Sequence, residues 1–204
     1  HKSADLLLRA EPYMAFRLRT AGFNVLSLAN NHVFDYGLDA FRDTVAALNE
    51  AGIRHVGAGF NECEARESLV LDVNGLNIAF LAYTYGYPAR GSSPGCACAT
   101  SEAIKQDLEA AKKKAHLVIV SLHDGVEFTD YPLPRIHALA HEMIDRGASL
   151  VVGHHPHTLQ GIEEYKSGLI AYSLGDFVFD NADDGIREAA YRRTAVSLLS
   201  LIHI

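Results

Sequence analysis

A chain of 204 residues, 49% hydrophobic and 21% charged, has the composition of a globular protein with a substantial core and excludes a disordered or low-complexity class. Its formal net charge is −7 and no basic patch stands out, which argues against a nucleic-acid partner. No stretch reaches the ~20 apolar residues that span a bilayer, and no signal peptide is visible at the start.

Taken in order, the chain alternates short apolar runs with longer amphipathic ones. Tyr13 to Ala21 is expected as a helix opened by Pro12 and closed by Gly22. Phe23–Ala29 reads as a buried strand. Leu38–Ala51 has Phe41, Val45 and Leu48 at helical spacing and Gly52 as its stop. Arg54–Val56 is a short strand. Ser68–Val73 and Leu76–Tyr83 flank Asn74-Gly75, a strong hairpin signal, so the sheet is not purely parallel.

Tyr85–Thr100 is the longest irregular stretch, a candidate binding loop. It holds Cys96 and Cys98, which with Cys63 make an odd number of cysteines and no disulfide framework. Cys96-Ala97-Cys98 lacks the neighbouring ligands of a zinc knuckle and reads as exposed loop thiols. Ser101–Lys113 is a helix with Ser101 as its cap, and Lys112–Lys114 falls at its negative end. Leu117–Leu122 suits a strand buried on both faces. Leu133–Arg146 is a helix ended by Gly147, and Leu150–Val152 another buried strand. Ile162–Tyr165 and Leu169–Ser173 form a second hairpin around Lys166-Ser167-Gly168, and Tyr191–Ile202 a last strand. Helix-linked strands mixed with hairpins imply an α/β core covered by helices.

Ligands of open α/β sheets gather at the carboxyl ends of strands. Three loops fall there: Ala29–His32, His123–Gly125 and Gly153–His157. Together they carry His32, His123, His154, His155 and His157. Imidazole suits zinc, manganese and iron, and an amide oxygen such as that of Asn31 can add a ligand. A His-x-His pair on an extended segment points both rings the same way. His55, His137 and His141 lie on an edge strand or helices and read as ordinary.

These residues carry a resemblance. Asn30-Asn31-His32-Val33-Phe34-Asp35-Tyr36-Gly37 resembles the Gly-Asn-His-Glu/Asp box of calcineurin-like metallophosphoesterases, in the longer form of 5′-nucleotidases. Three further boxes are His123-Asp124-Gly125-Val126-Glu127, Gly153-His154-His155-Pro156-His157 and Tyr172-Ser173-Leu174-Gly175-Asp176-Phe177. With them the chain more closely resembles the bacterial capsule-synthesis family of the CapA/PgsA type, associated with poly-γ-glutamate capsules. The resemblance implies a metallophosphoesterase-like α/β sandwich, mixed sheets flanked by helices. It implies a site for divalent ions (Mn, Zn or Fe), up to two of them.

By position, Asn31 resembles the amide ligand, His123 the single strand-end ligand, and His155 and His157 the paired ligands, with His154 the competing choice. His32 resembles the non-ligand histidine that protonates at the reaction centre. Asp176 stands where the family usually has Asn and is a candidate carboxylate ligand, or a turn former. Asp35 is a candidate helix cap or histidine-orienting partner. Glu127 and Arg90 are candidate substrate contacts, and Tyr83, Tyr85 and Tyr87 alternate as a possible cleft lining. The acidic boxes that such a centre places before Asn31 are not among residues 1–30, so residues 1–204 are expected to be one domain truncated at its N-terminus.

The function implied is capsule biosynthesis with a metal-dependent, phosphoesterase-like hydrolase site. Its partners would be an anionic polymer or phosphoester and other capsule-synthesis proteins, in an extracytoplasmic envelope location. Two other readings stay open: a non-catalytic assembly or export partner, and a 5′-nucleotidase-like phosphatase.

Overall fold

Asn74 and Gly75 both take positive φ, 55° and 85°, as a two-residue hairpin turn requires. The computed structural model, which describes residues 7–177, accordingly pairs β4 (Leu69–Val73) with β5 (Leu76–Thr84) antiparallel. The second expected hairpin forms as β9 (Ile162–Tyr165) and β10 (Gly168–Ala171). Between the hairpins lie β7 (Leu117–His123) and β8 (Leu150–His154). The six strands are ordered β4-β5-β7-β8-β10-β9, with β5, β7, β8 and β10 parallel in the middle.

Two small sheets complete the strands. One pairs β1 (Val25–Ser27) parallel with β2 (Arg54–Val56), and the other pairs β3 (Ala58–Gly59) with β6 (Gly95–Cys96). The helices are α1 (Met14–Thr20), α2 (Gly37–Glu50), α3 (Glu62–Arg66), α4 (Ser101–Lys112) and α5 (Pro134–Asp145). The expected strand Tyr191–Ile202 lies outside the described residues.

The alternation of β7 sets the layers. Val118, Val120 and Leu122 are buried against Ile104, Leu108, Ile136 and Met143 of α4 and α5. A second core on the other side gathers Ala15, Leu28, Phe41, Leu48 and Ile53 between β1, β2 and the helices α1 and α2. Ala29, Val56 and Ala82 join the two sheets. The order is therefore helix, sheet, sheet, helix: the expected mixed α/β sandwich.

Local differences have local causes. Only Val25–Ser27 of Phe23–Ala29 is strand, because the partner β2 is three residues long. Thr100, not Ser101, caps α4: its side chain accepts from the Ala103 N–H at 3.2 Å. Cys96 is buried, its thiol against the carbonyls of Leu28 and Asn30, so it is not an exposed loop thiol. Tyr83 is fully buried and bonds Asp107 at 3.0 Å, which removes it from any cleft.

Candidate functional site

Thr84, His123 and His154 stand in register at the ends of three adjacent parallel strands. The Thr84 hydroxyl donates to the His123 carbonyl at 3.0 Å. The neighbouring loops build outward from this row.

From the second sheet, the Asn30 side chain accepts from the His32 N–H at 2.8 Å and turns the chain after β1. The turn aims Asn31, which is buried, at the row: its Oδ1 lies 2.8 Å from His123 Nε2. His32 Nδ1 lies 2.6 Å from Asp35 Oδ2. Asp35 also accepts from the Leu8 N–H at 3.0 Å, and its side chain is 1% exposed. It is thus placed to orient the histidine, and Tyr36, at the N-cap of α2, makes no side-chain cap bond.

After β8 the chain passes through His155 and His157 with φ of 95° and 60°. Such left-handed positions are strained for bulky residues and concentrate at functional sites. The pair therefore does not lie on the extended segment that its spacing suggested. Turns on either side of Pro156 bring the rings together, with centroids 6.2 Å apart, and His155 lies 5.0 Å from His123. Gly153, just before this loop, lets the backbone after β10 come close: a Cβ there would fall 1.9 Å from the Tyr172 carbonyl oxygen.

Glu127 completes the group. Ligand atoms of Glu127, His155 and His157 lie within 4.8 Å of one another. Of the competing histidines, His155 rather than His154 joins this set, while His154 flanks His123 on the sheet. Asp176 sits behind His157, with Oδ1 2.8 Å from Nδ1. A carboxylate in that position orients a metal-binding imidazole. Phe128 stacks on the same ring at 5.9 Å. Tyr85 packs edge-on against His155, with its hydroxyl 3.4 Å from Nε2. His155 Nδ1 is buried with no hydrogen-bond partner.

Burial pushes His123 down to about 2, and the nearby His155, His154, His157 and His32 add to it. Burial alone pushes His154 down to about 4. His155 is also lowered by burial, with Glu127 opposing. His157 is raised, chiefly by its bond to Asp176. His123, His154 and His155 are thus held as neutral imidazoles, the form that can donate lone pairs, whereas the bond to Asp176 favours the charged form of His157.

Arg90 is not brought to this group. It lies on an exposed turn with Ser93, and the adjacent Gly91 N–H bonds Glu62 at the start of α3. Arg135, at the start of α5, lies near Tyr85, the ring that packs on His155. Its guanidinium is gripped by both oxygens of buried Asp124, at 2.5 and 2.8 Å. The sequence offered one hint of it: an acid directly after a strand-end histidine and an arginine at the next helix start.

The four boxes sit within a match to the family described as bacterial capsule synthesis protein PGA_cap, over residues 1–181. The chain belongs to that family. Among curated proteins, this PGA_cap chain is 41% identical over 194 residues to the capsule biosynthesis protein CapA of Bacillus anthracis, covering 91% of this chain and 47% of that one. It is 39% identical over 178 residues to the PGA biosynthesis protein CapA of Bacillus subtilis, covering 85% and 47%. The chain thus spans about half the length of the curated relatives it matches. A solved structure described as "Putative 5′-Nucleotidase from Staphylococcus aureus" superposes with a TM-score of 0.55 at 16% identity, over 83% of this chain and 38% of that one. That likeness concerns the fold of the PGA_cap chain.

Proposed function

We propose that this PGA_cap chain forms part of a capsule-biosynthesis protein for a poly-γ-glutamate-type polymer, with a metal-dependent, phosphoesterase-like hydrolase site at its strand ends. The observation that carries the reading is the cluster itself: ligand atoms of Glu127, His155 and His157 within 4.8 Å of one another, the His123 ring 5.0 Å from that of His155, and a buried His155 Nδ1 with no hydrogen-bond partner. Such an atom is costly unless an ion or polar ligand satisfies it.

The residues fit a divalent ion. His123, His155 and His157 supply imidazoles, Asn31 an amide oxygen and Glu127 a carboxylate, a donor set that suits manganese, zinc or iron. Asn31 Oδ1 and His123 Nε2 are 2.8 Å apart, near the edge of about 3.0 Å that octahedral ligands at about 2.1 Å share. His154, beside His123, stays in the proposed set as a flanking donor. A bound ion would supply a Lewis acid and make water a better nucleophile at neutral pH.

The chain's own groups do the rest. With Nδ1 committed to Asp35, His32 keeps Nε2 to hold a proton and give it to a leaving oxygen. Arg135, held by Asp124 near Tyr85, is the proposed contact for a carboxylate or phosphate. That local cation answers the problem that a net charge of −7 poses for an anionic substrate. Arg90, on its separate turn, is a candidate contact for a longer polymer. Other capsule-synthesis proteins are the expected partners, and residues 1–204 one piece of a longer domain.

The test is a phosphodiester assay on metal-loaded protein. His32→Ala should keep its metal and lose about 10²- to 10⁴-fold in turnover. Loss of metal in that variant would give His32 the wrong role. Full metal loading without any hydrolysis by the unaltered chain would favour the non-catalytic assembly reading.

A further inference from the structure

A second set of metal-ligating side chains lies on a different part of the fold. His137 and His141 are one turn apart on α5 and share a face of the helix. Glu163 meets them from β9, at the edge of the six-stranded sheet. His141 Nε2 lies 3.1 Å from both carboxylate oxygens, and His137 Nε2 lies 3.6 Å from Oε2. Ligand atoms of the three residues fall within 4.8 Å of one another.

Four ligands held tetrahedrally at about 2.0–2.1 Å from zinc are separated by about 3.3 Å. Two of the three edges measured here, 3.1 and 3.6 Å, bracket that spacing. The side chains are also held in place. His141 stacks on Tyr165 with centroids 3.6 Å apart, and His137 on Tyr172 at 5.7 Å. The Tyr172 hydroxyl donates to Glu163 Oε2 at 2.5 Å. Contacts of this kind are what orient metal ligands.

We propose that His137, His141 and Glu163 form a second site for a divalent ion of the Zn²⁺ type, distinct from the strand-end cluster. Three protein ligands leave one position for water or an incoming carboxylate. The ion would join α5 to β9, which among the described residues pairs with β10 alone, and so lock the edge of the sheet. The site rests on its own geometry and stands whether or not the strand-end centre binds metal.

The experiment titrates the whole chain carrying His155→Ala and His157→Ala, which silence the other cluster, with Zn²⁺ and with Co²⁺. The expected result is one equivalent bound, visible Co²⁺ bands of four-coordinate strength and a higher melting temperature with Zn²⁺. Adding Glu163→Gln or His141→Ala should weaken binding by about tenfold or more and remove the bands. His137 is exposed, so His137→Gln should keep the fold and give the same loss. In the otherwise unaltered chain, His137→Gln should lower Zn²⁺ stoichiometry by one. No binding, or binding indifferent to all three substitutions, would leave only a hydrogen-bonded ion cluster and overturn the proposal.

Discussion

Asn31 Oδ1 lies 2.8 Å from His123 Nε2, across a sequence separation of 92 residues. Asn31 sits in the turn that follows β1 of one sheet, and His123 ends β7 of the other. The site therefore closes only where the strand ends of both sheets meet. Asn31→Ala removes the oxygen and should weaken metal binding on the order of 10- to 100-fold, while Asn31→Asp keeps the oxygen and adds charge, so it should hold metal at least as well. Competition titration with a chromophoric chelator reads both. Equal affinity in Asn31→Ala would remove the amide from the ligand set.

Asp176 fixes the His157 ring through Nδ1, so Nε2 is the proposed ligand atom. Asp176→Asn keeps the shape but exchanges the charged acceptor for an amide. Metal affinity should fall about 10- to 100-fold, the usual cost of losing an orienting carboxylate. A loss as large as that of His157→Ala would instead mark Asp176 as a ligand.

Much of this arrangement was legible in the sequence, for particular reasons. Asn74-Gly75 announced a hairpin because both residues accept positive φ. Gly22, Gly52 and Gly147 follow helices, and each takes positive φ there. The three histidine loops were placed by the strands before them. What escaped was set by tertiary contact. His155 and His157 converge through left-handed turns that spacing alone does not encode. Arg135 reaches the site because Asp124 holds it from eleven residues away. The small helix α3 was missed, although Asn61 caps it through the Glu64 N–H at 2.9 Å, a short-range pattern open to reading.

The lowered histidines make a prediction about acid. In metal-free protein, His123 and His154 titrate at about 2 and about 4, below the ordinary value of 6.5. As pH falls below 6.5 the unfolded chain takes up protons that the folded chain refuses, so stability drops toward pH 4 and below. His157 works the other way: its raised value adds stability below 6.5 that is lost as pH climbs through that value. Two depressed groups and the lowered His155 outweigh it. Urea midpoints in chelator should be lower at about pH 5 than at about pH 7.5. An equal or higher midpoint at the acid end would mean that these rings are solvated.

The most direct test of the strand-end centre is elemental analysis and Mn²⁺ or Zn²⁺ titration of the chain carrying His137→Gln, so that α5 contributes nothing. At least about one equivalent should bind, and His155→Ala with His157→Ala should abolish it. Fewer than about 0.1 equivalents, with none gained on adding Mn²⁺ or Zn²⁺, would contradict the assignment of the three histidine loops to a metal centre.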